Sequence, residues 1–439
     1  MRKMIYYEWL HFARNRARVV ALLLFLLAAF FGLYNGHNHL NDRFEQIATI
    51  GTTINENQQK VNGWFDEGVD GPEGSPWVDI NTPFWSMWYA SHHIIDQPNP
   101  TMVFNIGQSE HFGYYKRVSM WSSAFDDDLT AEIANPELTE MGALDFSFVW
   151  LYLMPLLLIV LTFHTKGLEF DLGFLPLLKV QRPSLDVWLF GRLLIVGLGL
   201  FIILTLLIFC TILMSPHLAI DGEVLNLWAV YSLYLLIWLI LAYVIISFGR
   251  GQADQALKMI GVWLLLAVAI PGIVNQYILI KKPADLMMSM IEAGRDGQQT
   301  IYDLSSEEIV SQAFDLMPEL QETNAGKTDS LRAQPMINGT YRLVLNKYMS
   351  EVTNDILQDQ KSRNQLIAST YWFNPVTGFH NWLNKLTNTD HEANLAFREE
   401  IRDAGKSINE ILVRDEWNDR KMDKSSFAEY VNILNAGSP

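Results

Sequence analysis

Five long apolar segments, separated by two large acidic regions, constrain this chain more than any other feature. The segments cover residues 19–34, 144–163, 193–214, 224–247 and 259–280. A helix needs about 20 mostly apolar residues, and at least about 17, to cross the hydrocarbon core of a membrane. The first segment is slightly short, which flanking residues or local thinning of the bilayer can offset. The sequence therefore predicts an all-α polytopic membrane protein with five transmembrane helices.

The charge of the chain is concentrated outside the apolar segments. The 439 residues carry a formal net charge of −16. Residues 35–143 contain 16 acidic and 4 basic residues, a balance of −12, and residues 281–439 contain 24 and 17, a balance of −7. Acidic surfaces of this size argue against nucleic acid as a partner. The single cysteine, Cys210, lies in the third apolar segment and cannot form a disulfide within the chain.

Lys and Arg residues close to the segment ends indicate the orientation in the membrane. They precede the first segment and occupy the connections after the second and fourth (Arg14, Arg16, Arg18, Lys166, Lys179, Arg182, Arg250 and Lys258). The connection after the third segment, residues 215–223, has two acidic residues and no basic one. We predict a cytoplasmic N-terminus, although Lys281 and Lys282 at the outer end of the fifth segment run against the pattern. A cleaved signal peptide over residues 1–34 is the alternative.

This topology divides the chain into seven parts. They are a cytoplasmic interfacial helix (1–18), a first span (19–34), an extracytoplasmic domain (35–143), a second span (144–163), a cytoplasmic coupling loop (164–186), three further spans (187–280) and a second extracytoplasmic domain (281–439). Both outer domains are expected to be mainly helical. In the second one, Ser305 with Glu308 and Asn374 with Pro375 have the pattern of helix starts, and residues 390–413 that of an amphipathic helix.

Two of these parts carry alternatives. The first 18 residues place Trp9 and other apolar side chains beside arginines, as in a helix lying in the headgroup plane, or as in an ordinary flank with aromatic anchors. The coupling loop holds too many apolar residues for a free solvated loop, so it must rest on the bilayer or on another protein.

No set of residues in the sequence has the spacing of a catalytic or metal site. Gly326-Lys327-Thr328 matches the end of a phosphate-binding loop, but Gln321 stands where the first glycine is required. His37 with His39, and His92 with His93, could bind a metal, but no Cys or further His lies at metal-ligand spacing, so we interpret them as surface histidines of a loop. We therefore expect no enzymatic activity, no cofactor and no metal.

The order of these parts resembles the permease subunits of type-2 ABC transporters. The subgroup with enlarged periplasmic loops, related to gliding-motility and nitrous-oxide-operon permeases, is the most similar. The resemblance rests on Glu8-Trp9 with Arg14 to Arg18, Asn105 to Ser109, Asn135-Pro136 through Phe146 to Pro155, Leu168-Glu169 through Gly173 to Leu177-Leu178 and Arg182-Pro183-Ser184, and Asn374-Pro375 with Thr389-Asp390-His391 and Phe397. Such permeases usually have six spans with both ends cytoplasmic, whereas this sequence shows five. Either the sequence is a fragment that lacks the last span, which we favour, or its C-terminal domain ends outside.

The resemblance implies a function and a set of partners. The chain would be the membrane-spanning permease subunit of an exporter in the bacterial inner membrane, driven by a separate cytoplasmic ATP-binding cassette subunit. It would pair with a second copy or a second permease and contact membrane lipids. The coupling loop would dock the ATPase through Glu169, Asp171, Phe174 and Leu178. A membrane-anchored receptor or assembly scaffold, or an intramembrane enzyme, are the alternatives, and the sequence does not indicate the substrate.

Overall fold

The computed structural model describes residues 10, 12–90, 93–110, 112–122, 144–181, 184–282, 286–328 and 334–436. The first half consists of α1 (Arg16–Glu67), α2 (Pro83–Ala90), β1 (His93–Ile95), a 3₁₀ turn (Pro100–Val103), β2 (Tyr115–Arg117), α3 (Phe146–Phe148, a π turn Val149–Leu153, and Met154–Thr162), α4 (Gly167–Asp171), α5 (Leu175–Gln181) and α6 (Leu185–Met214). The second half consists of α7 (Gly222–Phe248), α8 (Gln252–Leu264, a π turn Leu265–Ala269, and Ile270–Lys281), α9 (Leu286–Tyr302), α10 (Ser306–Leu316), a 3₁₀ turn (Pro318–Glu322), α11 (Gln334–Ala368), α12 (Pro375–Leu386), α13 (His391–Trp417) and α14 (Lys424–Ala436).

Within these ranges, five helices are long and apolar enough to cross a membrane: α1, α3 continued by α4 (Phe146–Asp171), α6, α7 and α8. The predicted class of a mainly helical, multi-pass membrane protein is confirmed. Strands β1 and β2 pair antiparallel, with His93 opposite Arg117. We call the membrane side at which α1 begins the near face, and the opposite side the far face. Five alternating crossings place the described parts of residues 35–122 and 286–436 together on the far face.

The first helix is much longer than a membrane crossing. It has 52 residues and begins at Asn15, whose side chain accepts from the backbone N–H groups of Ala17 and Arg18. It ends at Gly68, which adopts the left-handed conformation (φ 68°) common after helix ends. At 1.5 Å per residue, α1 is about 78 Å long, against about 30 Å of hydrocarbon. The predicted span of residues 19–34 is thus only the first part of one continuous helix.

The spanning helices pack around large aromatic side chains. Trp150, Tyr231 and Tyr234 are fully buried in one cluster to which α1, α3, α6 and α7 all contribute. Edge-on ring contacts hold them together, with 5.3 Å between the ring centres of Phe146 and Tyr231. Aromatic pairs of this geometry add to the stabilisation gained from close packing.

A proline follows each of the two π turns in the spanning helices. Pro155 has no N–H to offer the carbonyl of Leu151, and the hydroxyl of Tyr234 on α7 donates to that carbonyl over 2.6 Å. The indole N–H of Trp263 on α8 donates to the neighbouring carbonyl of Tyr152 over 3.1 Å. Polar groups freed in a spanning helix need such partners, because the lipid provides none.

The two far-face regions share a hydrophobic core. Residues of α1, α2 and the strands pack with residues of α13 and α14 in one cluster, which includes Val61, Met87, Ile94, Val118, Ile401, Ile408 and Phe427. Polar contacts also cross between the regions, for example from the ammonium of Lys424 to the carboxylate of Asp66. The predicted helix starts are confirmed at Ser305, which forms a capping box with Glu308, and at Asn374–Pro375. The predicted helix at 390–413 is α13, capped by Asp390.

Candidate functional site

On the near face, α4 and α5 form a short hairpin between α3 and α6 (residues 163–181), which we call the near-face hairpin. It contains the first part of the predicted coupling loop, whose positions 182 and 183 lie outside the described residues. The ammonium of Lys166 donates to the carbonyl of Ile246 over 3.2 Å and also to that of Ser247. These carbonyls belong to the last turn of α7, where intrahelical donors run out. The hairpin is therefore tied to the end of a spanning helix.

Two of the four predicted docking residues bind neighbouring helices through their carboxylates, Glu169 from a largely buried position and Asp171 from an exposed one. The carboxylate of Glu169 accepts from the guanidinium of Arg192 on α6 over 2.6 Å, with both side chains largely buried. The carboxylate of Asp171 accepts from the backbone N–H of Gln252 over 3.1 Å and from its side-chain amide over 3.2 Å. Because Gln252 is the first residue of α8, Asp171 acts as a cap supplied from another element. Both acids fasten the hairpin to the spans.

The other face of the hairpin is apolar and exposed. Phe174 is 54% exposed, whereas Leu178 is half-buried. The same exposed face includes further apolar side chains, and we call this set the apolar edge: Phe170, Leu172, Phe174, Leu177 and Val180. Five exposed large apolar side chains within eleven consecutive positions indicate contact with lipid or with a protein. The assignment of Phe174 and Leu178 to ATPase docking stays a prediction.

A second candidate site lies on the far face, where α1 meets the 3₁₀ turn and the start of α3. Gly32 and Gly36 lie one helical turn apart on α1. A Cβ atom on Gly32 would lie 2.7 Å from the backbone carbon of Asp145, and one on Gly36 would lie 2.0 Å from the carbonyl oxygen of Val103. Only glycine permits backbones to approach this closely.

The carboxylate of Asp145 connects the same elements. One oxygen accepts from the N–H of Phe148 over 2.7 Å and so caps α3. The other accepts from the N–H groups of Ile106 over 2.9 Å and Gly107 over 3.3 Å. Asp145 is almost completely buried, so its position is fixed by these three donors. The start of the second span is thereby bound to the segment that rests on α1.

Residues 105–109 also bind the connection between α12 and α13. The side-chain amide of Asn105 donates to oxygens of Asn384, Thr387 and Thr389, over 2.8, 2.9 and 3.1 Å. Gly107 has a positive φ of 57°, and a Cβ atom there would lie 2.4 Å from the hydroxyl of Thr389. We call this meeting point of α1, residues 99–109, the start of α3 and residues 384–389 the far-face junction.

The sequence offered a signal for this junction that our sequence analysis did not use. Gly32 and Gly36 form a Gly-x-x-x-Gly pattern in an apolar stretch, which is typical of close helix packing in membranes. Two stretches cited for the family resemblance, around Asn105 and around Thr389, are in direct contact although about 280 positions separate them. Their proximity depends on tertiary structure, and the local periodicity of the sequence does not indicate it.

Among the described residues, no group of three or more His, Cys, Asp or Glu side chains is arranged to hold a metal ion. The two candidate sites consist instead of hydrogen bonds between elements and of an apolar surface. Such arrangements fix the relative positions of helices and bind partners.

Comparison with known proteins gives one match. A domain family of unknown function, DUF3526, matches residues 287–432, which extend from α9 into α14. No curated protein and no solved structure matches the chain. The matched region contains α12 and the residues that bind Asn105, so one side of the far-face junction lies within it.

Proposed function

We propose that the chain is the membrane-spanning permease subunit of an ABC transporter, driven by a separate cytoplasmic ATP-binding subunit. In this proposal the near face is the cytoplasmic face of a bacterial inner membrane, and both far-face regions are extracytoplasmic. The observation that carries the proposal is the near-face hairpin. It combines an exposed apolar edge with polar anchors to α6, α7 and α8.

These anchors provide a route for mechanical coupling. A partner that binds the apolar edge and moves would pull on α6 through Glu169 and on α8 through Asp171. Charge-assisted hydrogen bonds of this kind are stronger than neutral ones and are worth more when shielded from water. Transport then requires two arrangements of the packed helices, which ATP binding in the partner shifts in population.

The far-face junction extends the coupling to the outside. Helix α1 runs without interruption from the near face into the far-face core, where Val61 is fully buried. Gly32 and Gly36 hold it against the segments that start α3 and bind residues 384–389. A tilt of α1 would therefore displace the far-face regions together with the spans.

The experiment reconstitutes the full chain in liposomes with the product of a neighbouring reading frame that carries a complete phosphate-binding loop motif, as the ATP-binding subunit. Phe174→Ser combined with Leu177→Ser should abolish binding of that subunit and uncouple ATP hydrolysis, because both side chains belong to the apolar edge. Trp77→Ser, which removes an exposed aromatic on the far face, is the matched control and should bind normally. Equal binding by both variants would refute the docking assignment. Absence of any binding by the wild-type chain would favour a scaffold or receptor.

The orientation has its own test. In a Cys210→Ser background, a cysteine at Val180 should react with a membrane-impermeant maleimide only after cells are opened, because the near face is cytoplasmic in this proposal. A cysteine at Trp77 should react in intact cells. Labelling of Val180→Cys in intact cells would place the hairpin beyond the reach of a cytoplasmic ATPase.

A further inference from the structure

Helix α12 belongs to the far-face region by sequence, yet it packs against spanning helices. The ring of Phe379 lies 5.1 Å from the ring of Tyr234 on α7, and that of His380 lies 6.5 Å from Tyr152 on α3. Leu383 is fully buried in the same cluster as the spanning helices. Helix α12 also contacts the π turns of α3 and α8. It therefore lies alongside the spans.

These contacts are deep in the membrane. The π turn of α8 is preceded by 13 helical residues and followed by 12, so it lies at the middle of that span. Tyr234 lies near the middle of α7, which runs from Gly222 to Phe248. At about 1.5 Å per residue, both positions lie about 18 Å or more from either end of their helices, which places them near the middle of a hydrocarbon core about 30 Å thick.

The helix has one aqueous end. Lys385 forms an exposed ion pair with Glu392, 2.8 Å between nitrogen and oxygen, near the end of α12 that binds the far-face junction. From Lys385 back to Pro375 the helix extends by about 15 Å, which is half the thickness of the hydrocarbon core. The start of α12 is thus its deep end.

The distribution of side chains around this segment is the reverse of that expected in water. Trp372 is 84% exposed and Trp382 is 47% exposed, and Phe373 is exposed beside Trp372. Three polar side chains in or directly after the same segment are instead buried: Asn374, Asn384 and Thr387. In a bilayer, exposed aromatics contact lipid and polar groups turn toward helix partners.

We propose that residues 372–386 enter the bilayer from the far face as a half-spanning helix, with Trp372, Phe373 and Trp382 in contact with lipid. The occupant of this aromatic surface is lipid because the surface continues that of the spans, at the same depth. Through α12 the far-face region is fixed in the membrane independently of α1 and α8. The inference depends on the spanning helices alone and not on transport.

Nitroxide labels test this proposal in the full chain reconstituted in phosphatidylcholine and phosphatidylglycerol vesicles. Single cysteines replace Trp372 or Trp382 in the Cys210→Ser background. Leu213→Cys, on an exposed apolar position of α6, is the lipid control, and Glu322→Cys, on an exposed far-face position, is the aqueous control. Collision rates with oxygen report lipid, and those with a water-soluble nickel chelate report solvent.

Labels at 372 and 382 should follow Leu213→Cys, with high oxygen and low nickel accessibility, and position 372 should be the deeper. A pattern like that of Glu322→Cys would place the helix in water and overturn the proposal. Low accessibility to both reagents would show that a protein, such as a second copy, covers the surface, and would overturn it equally. If one variant fails to insert, the other gives the same discrimination.

Discussion

Gly36 offers a sharp test of the far-face junction, because alanine there and alanine elsewhere on α1 should have opposite effects. A Cβ atom on Gly36 would lie 2.0 Å from the carbonyl oxygen of Val103, whereas ordinary contact begins at 3.4 Å. Gly36→Ala therefore forces α1 and the 3₁₀ turn apart by about 1.4 Å. The nearest atoms all belong to the backbone of Val103, so no side chain can rotate away to make room.

The size of the effect follows from two opposing terms. Overpacking of this kind costs about 1–3 kcal/mol. Alanine in place of glycine inside a helix stabilises the helix by about 0.5–1 kcal/mol. Gly36→Ala should thus destabilise the protein by about 1 kcal/mol, within a range of about 0–2.5 kcal/mol. Gly51→Ala, on the same helix with nothing within 4 Å of the added atom, should instead stabilise it by about 0.5–1 kcal/mol.

Thermal unfolding of the full chain in lipid nanodiscs, followed by tryptophan fluorescence, measures the sign of both changes. Hydrogen exchange at residues 101–109 measures whether the loss arises at the junction. Exchange there should accelerate for Gly36→Ala and stay unchanged for Gly51→Ala. If the two variants shift the midpoint in the same direction by similar amounts, the close approach of α1 to Val103 does not exist in the protein.

Three further predictions address other parts of the structure. Burial raises the pKa of Glu416 from 4.5 to about 8, and neither carboxyl oxygen has a hydrogen-bond partner among the described residues. The stability of α13 should therefore fall as the pH rises from about 4.5 to 8. Glu416→Gln should remove this pH dependence and stabilise the protein by on the order of 3 kcal/mol at pH 7. Hydrogen exchange of α13, measured as a function of pH, reports this loss of stability, and Glu410→Gln on the same helix is the control. A pH dependence in Glu416→Gln equal to that of the wild type would refute the prediction. Asn105→Ala removes the amide that donates to three buried oxygens, so it should lower the free energy of unfolding by about 1–3 kcal/mol. Residues 384–389 should then be cleaved faster in limited proteolysis, and resistance equal to that of the wild type would contradict this. Tyr234→Phe should lower the unfolding midpoint by the equivalent of about 0.6–1.7 kcal/mol, because the carbonyl of Leu151 loses its donor, and an unchanged midpoint would show that the hydroxyl is not needed there.

The sequence was sufficient for the parts of the fold that are set by local composition. Five apolar segments identified five spanning helices, since a hydrocarbon crossing demands a fixed length of apolar chain whatever its neighbours are. The capping box at Ser305 and the proline at the start of α12 were likewise local signals, and both mark helix starts in the structure. The predicted helix boundaries were less accurate. Helix α1 continues past its apolar segment into polar sequence, and α6 begins eight residues before its own segment, because hydropathy does not mark where a helix begins or ends.

The functions of individual residues depended on tertiary structure. The sequence predicted that Glu169 and Asp171 contact a partner subunit, but in the structure their carboxylates bind Arg192 and the start of α8. Helix α12 was identified as a helix, but its position beside Tyr234 follows from contacts with three spans that are distant in sequence. Hydropathy along the chain determined which segments span the membrane, because transfer of a whole helix to lipid is a property of each segment. The pairing of buried polar groups and the close approach of glycines are properties of two segments together, and only the folded chain brings those partners into contact.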